Sequence, residues 1–362
     1  MKKLITSESV TEGHPDKICD KISDKILDSS IQQDKYSKMA VEATIKDDLI
    51  LIYGEATTKA KLDYEQIAKS VLKDIGYNEE YNVLIKVGEQ SIEINQAVEK
   101  DKICAGDQGI MFGYATNETK EYMPLSISLA NQLTKQMTKI RKSNQNSILL
   151  PDGKSQVTVE YKNDLPKRID TILIATQHKK EATKEQIDNL IIEEVINKVV
   201  PKNLIDSNTK ILINTSGSFV LGGSFGDSGT TGRKIVVDTY GGIGRVGGGC
   251  FSSKDPSKVD RSAAYYARYV AKNIVHQKYA DKCEVALSYA IGQENPISVC
   301  IETFGAEKIP LETIYKYVKD NFNFSVDNII KELDLLRPIY YDLAAYGHFG
   351  REELSLSWEK FK

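Results

Sequence analysis

The sequence predicts an α+β protein built in three similar stages, each a β-hairpin followed by helices. Two observations carry this. Runs of alternating or continuous apolar residues flank turn signals near residues 39, 147 and 283. Stretches with apolar residues at helical spacing follow the hairpins. The three stages share no visible sequence identity, so only the order of elements suggests a repeat. That order implies sheets covered by helices on one face.

Taken in order, residues 7–16 read SESVTEGHPD. Pro15 suits the first position of a helix, where its missing N–H is not needed. Ile18, Ile22 and Ile26 then recur at helical spacing, with Lys and Asp between them. His14 falls just before the helix and Asp16 in its first turn, where anions are favoured. Residues 39–45 and 49–53 read as a hairpin, with Glu42 mid-strand and Glu55 just past Gly54. Residues 62–75 suit a helix and 81–87 a strand. A polar stretch over 88–110 holds Gln90 and ends in Ala105-Gly106-Asp107-Gln108-Gly109.

A strand over 111–114 and a helix over 124–142 follow. Pro151-Asp152-Gly153 reads as a hairpin turn between strands 148–150 and 156–161. A strand over 169–176, an amphipathic helix over 184–200 and a strand over 210–214 lead through Ser216-Gly217 to Phe219. Asp255 and Pro256 are expected to cap and open a long helix ending near Gln277. A hairpin over 283–291 and 297–304 precedes helices over 311–322 and 326–335.

Between Gly222 and Arg261 the chain departs from ordinary globular composition. It reads GGSFGDSGTTGRKIVVDTYGGIGRVGGGCFSSKDPSKVDR, with a β-branched run at 235–239 expected as a strand. Glycine costs backbone entropy, so its concentration needs a reason. Close approach of backbone N–H groups to a ligand is one. The interleaved cations Arg233, Lys234, Arg245, Lys254 and Lys258, with Asp227 embedded among them, point to a polyanion, most simply phosphate.

Two standard phosphate loops were weighed. Gly242, Gly244 and Gly247 spell G-x-G-x-x-G, but a dinucleotide fold needs a helix at once and an acid about 20 residues on. More glycine follows here instead. Gly153-Lys154-Ser155 resembles the end of a Walker A loop, yet the first glycine would fall at Ile148. A phosphate site of neither standard type is expected.

Composition excludes other classes. The 362 residues allow two or three modules. A net charge of −3 gives no reason to expect nucleic acid. No apolar run approaches the ~18 residues that span a bilayer, and MKKLITSESV lacks the apolar core of a signal peptide. Five cysteines without C-x-x-C read as reduced thiols of a cytoplasmic protein. Four scattered histidines argue against a His-rich metal site.

Seven stretches together closely resemble the S-adenosylmethionine synthetase family: SESVTEGHPDKICD, GEATTKA, AGDQGIMFGYATNET, DGKSQVTVEY, GDSGTTGRKIVVDTYGG, KDPSKVDRSAAYYARYVAKNIV and YGHFGRE. They stand in order along the whole chain. The resemblance implies three similar modules about a pseudo-threefold axis, here 1–100, 101–221 and 222–362, interleaved in space. It implies a homodimer or a dimer of dimers with active sites at the subunit interface. It also implies synthesis of S-adenosylmethionine from ATP and L-methionine, with cleavage of the displaced tripolyphosphate to pyrophosphate and phosphate.

The resemblance assigns chemistry to His14, Lys154, Arg233 and Lys254. It places Asp152, Ser218, Phe219, Asp227, Lys234 and Cys250 with them around ATP, Phe219 stacking on adenine. Glu55, Gln90, Asp107, Asp227 and Lys258 fall at the methionine site. Asp16 and Asp260 fall where the family holds two Mg²⁺, and Glu42 where it holds K⁺. Residues 91–104 fall on a loop over the site.

The sequence departs from the family pattern at Ser218 for arginine, Cys104 and Ser253 for glycine, and Val246 for histidine. It also has Ser224 for proline, Thr230 for leucine and Cys250 for alanine. An ATP or polyphosphate hydrolase that has lost methionine is the alternative, but it would leave Glu55, Gln90 and Lys258 idle. A non-catalytic subunit is a third reading, which the complete set of cations and carboxylates argues against.

Overall fold

A computed structural model describes residues 2–89, 103–144 and 146–362. Its strands form three sheets, and each sheet carries one long helix. The first sheet orders β1 (Lys2–Val10), β6 (Leu149–Lys162), β7 (Leu165–His178) and β8 (Lys210–Ile213). Helix α3 (Leu125–Ser143) packs on β1 and β6. The second orders β11 (Ser298–Glu302), β10 (Lys282–Tyr289) and β5 (Gly109–Thr116), under helix α4 (Val259–His276). The third orders β4 (Asn82–Gly88), β3 (Leu49–Thr57), β2 (Lys38–Lys46) and the short β9 (Gly229–Thr230), under α1 (Pro15–Gln33).

Each sheet borrows a strand from a distant part of the chain. β1 from the N-terminus joins β6, β5 from mid-chain joins β10, and β9 from the glycine-rich stretch joins β2. The exchange closes a ring: no sheet is complete without another part of the chain. Helix α2 (Tyr64–Ile75), capped by Asp63 and ended by Gly76 at φ +110°, backs α1. One apolar core fills the second and third sheets and their helices, and a second core lies under α3 and the first sheet.

Most expected elements are present, with four corrections. The N-terminus was read without a strand, yet Lys2–Val10 is one, fully paired with β6. Pro151-Asp152-Gly153 is no hairpin turn; it lies inside β6, where the register shifts between Leu149 and Gly153. The turn falls instead at Asn163 and Asp164, both at positive φ. The β-branched run after Lys234 is not a strand but a helical turn, Ile235–Asp238. Asp255 does not cap the long helix, which starts at Val259 with Lys258 as N-cap. Its carboxylate is already used, accepting N–H bonds from Met39 at 2.8 Å and Ser257 at 2.9 Å. The Lys and Asp residues between the isoleucines of α1 are mostly buried: Lys17, Asp20, Lys21, Asp24 and Asp28.

Candidate active site

The start of α1 sets the geometry. His14 is its N-cap, with Pro15 at the first position, as expected. The His14 Nδ1 accepts the Asp16 N–H at 3.2 Å. That bond needs the Nδ1 lone pair, so the proton of the neutral ring sits on Nε2. Burial first, then the charges of Lys234 and Lys154, hold the imidazole down to about 3, so it is neutral at physiological pH. His14 therefore meets a ligand as a neutral N–H donor.

His14 lines a cavity of about 280 Å³ with Pro15, Asp152, Lys154, Phe219 and Asp227. Three separate segments converge there. Lys154 stands on β6, registered between Val10 and Ala175. Phe219 is held by His178, whose Nε2 accepts its N–H at 3.0 Å and whose own N–H donates to its carbonyl at 2.9 Å. Asp152 is buried and accepts the Gly223 N–H at 2.9 Å. Burial pushes its carboxyl up to about 6 against that bond and the Lys154 charge. Gly222 permits this fit, because a Cβ there would lie 2.6 Å from the Gln177 side chain. Ser218 is exposed beside Phe219.

Asp16 joins the cavity to the glycine-rich stretch. Its Oδ1 accepts the Thr230 N–H at 3.0 Å, its Oδ2 lies 2.5 Å from Lys234 Nζ, and Arg233 Nε is 3.7 Å from Oδ1. Burial opposes ionisation, but the Lys234 bond and the Thr230 amide hold the carboxyl below the usual range.

A second group gathers around Lys254. The Ala40 and Lys254 backbones form a bridge, and Ala40 is the register partner of Glu55. Lys254 Nζ lies 2.5 Å from Asp260 Oδ2, and Lys258 pairs with Asp255. Glu42 accepts the Tyr53 hydroxyl at 3.1 Å. The segment of Asp107 reaches this group, since a Cβ on Gly109 would stand 3.5 Å from Asp260 Oδ1. Asp107 itself is exposed and accepts the Gln108 N–H. Cys250 lies where the two groups meet: a Cβ on Gly232 would touch it at 2.6 Å. Burial pushes its thiol up to about 11, so it is an uncharged packing group.

The structure thus brings His14, Asp16, Asp152, Lys154, Phe219, Asp227, Arg233 and Lys234 into one group. It brings Lys254, Lys258 and Asp260 into another, beside the strands that carry Glu42 and Glu55 and the segment that carries Asp107. Gln90 and residues 91–102 lie outside the described residues. Among the described residues no cluster of three or more His, Cys, Asp or Glu could enclose a metal by itself, and no helix is long and apolar enough to cross a membrane. The sequence reading missed Asp20 and Asp24, whose carboxylates hold the Gly232 and Ser253 amides. Their fourfold spacing after Asp16 was the available signal.

Comparison with known proteins places the chain in a family. Family models described as the N-terminal, central and C-terminal domains of S-adenosylmethionine synthetase match residues 2–101, 102–219 and 221–360. An S-adenosylmethionine synthase of Clostridium tetani (strain Massachusetts / E88) is 50% identical over 379 residues, covering 99% of this chain and 97% of that protein. The three sheets, the capped helix at His14 and the cation-rich glycine stretch are therefore those of a family member: this chain belongs to the S-adenosylmethionine synthetase family.

Proposed function

We propose that the chain joins ATP to L-methionine to give S-adenosylmethionine, and then hydrolyses the displaced tripolyphosphate with one water to pyrophosphate and phosphate. The observation that carries this is the 280 Å³ cavity where His14, Lys154, Asp152 and Phe219 converge beside the Asp16–Lys234 pair. A lone pair on the methionine sulfur forms the bond to C5′ of ATP, and the C5′–O electrons leave with the triphosphate. A thioether carries no proton, so the step needs no general base. The barrier lies in alignment and in charge on the leaving group. Lys154, Arg233, Lys234 and Lys254 meet that charge. His14 adds a neutral N–H donor at the breaking bond. Phe219 offers a face for adenine. Glu55, Gln90, Asp107 and Lys258 take the methionine, and Asp227 faces both substrates.

Asp16 and Asp260 would each hold a Mg²⁺ ion, and Glu42 a K⁺ ion; Mg²⁺ supplies charge neutralisation at the phosphates. The donor set fits, because Mg²⁺ bound with nucleotide uses one or two carboxylates and completes its shell with phosphate oxygens and water. Each carboxylate here is matched by a lysine, which phosphate can draw away.

The chain also acts as a homodimer or a dimer of dimers. Leu4, Leu84, Ile85, Ile110 and Ile297 are each more than two-fifths exposed, apolar side chains that contact with a second copy would cover.

The test is release of phosphate and pyrophosphate by the purified protein with and without methionine. Methionine-dependent release with S-adenosylmethionine formed in equal amount is expected. ATP turnover indifferent to methionine would favour a hydrolase instead. Light scattering that finds an active monomer would remove the interface reading.

A further inference from the structure

Helix α1 carries an aspartate at every fourth position: Asp16, Asp20, Asp24 and Asp28. That spacing places all four on one face. All are buried, so the row is not a solvated stripe. Each accepts backbone N–H bonds from the far half of the chain. Asp16 takes Thr230, and Asp20 takes Gly232 at 2.8 Å. Asp24 takes Ser253 at 3.2 Å and the Ser252 hydroxyl at 2.9 Å. Asp28 takes Tyr340 at 3.0 Å and Tyr341 at 2.8 Å.

Two buried cations complete the row. Lys17 joins Asp20, at 2.9 Å, to Asp238. Arg261 grips both oxygens of Asp24, at 2.9 and 2.6 Å, and donates to the Lys254 carbonyl at 3.0 Å.

The tethered amides stand one residue before the cations of the site. Gly232 precedes Arg233 and Lys234; Ser253 precedes Lys254. Gly232 has no side chain to anchor it and holds φ +81°, so its conformation rests on what its backbone bonds. We propose that Asp20 and Asp24 are positioning residues that fix the backbone carrying Arg233, Lys234 and Lys254 against a tripolyphosphate. The proposal rests on the function proposed above. A misplacement of about 1 Å can cost on the order of 100-fold in rate, which is the scale such tethers would control.

The experiment uses the full-length protein and calorimetric titration with tripolyphosphate and Mg²⁺, alongside steady-state kinetics. Asp20→Asn keeps an oxygen to accept the Gly232 N–H but removes the charge beside Lys17. Asp20→Ala removes both. If Asp20 serves only to neutralise Lys17, the two variants behave alike. If it positions, Asp20→Asn binds tripolyphosphate within about threefold of the parent. Asp20→Ala then binds about tenfold more weakly, with kcat reduced and the KM for methionine unchanged.

Equal losses in both, or no loss in Asp20→Ala, overturn the proposal. Should Asp20→Ala not fold, Arg261→Lys keeps a charge for Asp24 but gives up the fork that also reaches Lys254. Its tripolyphosphate affinity is expected to fall about tenfold, and unchanged affinity overturns the proposal. A parent protein that binds tripolyphosphate yet forms no S-adenosylmethionine would sink the functional reading while leaving this comparison decisive.

Discussion

Lys234 Nζ stands 2.5 Å from Asp16 Oδ2, so a candidate phosphate cation and a candidate metal ligand neutralise each other. The pair is nearly closed to water, with the Asp16 side chain 2% and the Lys234 side chain 16% exposed. A metal arriving alone would have to separate a good buried pair, and so would a phosphate arriving alone. Arriving together, each ion replaces the partner that the other removes. Mg²⁺ and nucleotide should therefore bind with positive coupling of about 1–3 kcal/mol. Calorimetry should show weak binding of Mg²⁺ alone and much tighter binding with an ATP analogue present. Lys234→Met should reduce that coupling by tightening Mg²⁺ alone and weakening the nucleotide. Independent binding of the two in the parent protein would contradict this.

Lys154 makes the opposite case, because its side chain is exposed at the cavity rather than buried in a pair. Lys154→Met should leave stability within about 0.5 kcal/mol, as for surface changes remote from packed groups. It should lower kcat by about 10²–10³, the scale of removing one preorganised contact to developing charge. Asp16→Asn should also abolish turnover with the fold intact. Circular dichroism and single-turnover kinetics on both variants check this, and full activity in either would break the site assignment.

How much of this could be read from the chain depends on where each residue's partners lie. The capped start at His14-Pro15 was legible because N-cap and first-turn signals are local. So were the hairpin of β2 with β3 and the helix over 64–75. The buried Lys17, Asp20 and Asp24 were not, since Asp238, Gly232 and Arg261 lie more than 200 residues away. No pattern within α1 reveals those partners.

The same limit explains the strand misreadings. Lys2–Val10 alternates poorly and is a strand because β6 lies beside it. Ile235, Val236 and Val237 favour strands intrinsically, yet Asp238 must reach Lys17, and the segment coils into a turn. The glycine stretch stands out by composition alone, but its shape depends on carboxylates contributed by the other end of the chain.

His14 gives a prediction with a defined sign. The unfolded imidazole takes a proton near 6.5, while the folded one resists until about 3. Between those values the unfolded state binds more protons, so stability falls as pH drops below 6.5 and levels off only below about 3. The buried Asp152, pushed up to about 6, works the other way, so the total pH profile mixes signs. The difference between the parent and His14→Asn isolates the histidine, since asparagine still caps the helix. Urea unfolding from pH 7.5 down to 4.5 should show the parent losing stability relative to His14→Asn. Parallel curves would mean that His14 titrates normally in the folded protein. Turnover should show no break from protonation of the free protein's His14 in this range.

Ser253 supplies a test of strain inside the tethered segment. The family pattern has glycine there, and the structure gives the reason: Ser253 sits at φ +81°, a region that side chains avoid. Its N–H is spent on Asp24, and its buried hydroxyl finds no hydrogen-bond partner among the described residues. The backbone strain costs of order 1–3 kcal/mol, and an unsatisfied buried hydroxyl costs about as much. Glycine would relieve both but would give back roughly 0.4–1 kcal/mol through the unfolded chain's added freedom. Ser253→Gly should therefore raise stability by about 1 kcal/mol or more. Ser253→Ala removes only the hydroxyl and should gain less, because its Cβ keeps the strain. Chemical unfolding of the three proteins ranks them, with glycine first and serine last expected. If Ser253→Gly is the least stable, the segment is not strained, and the positive φ reflects a conformation that serine holds at no cost.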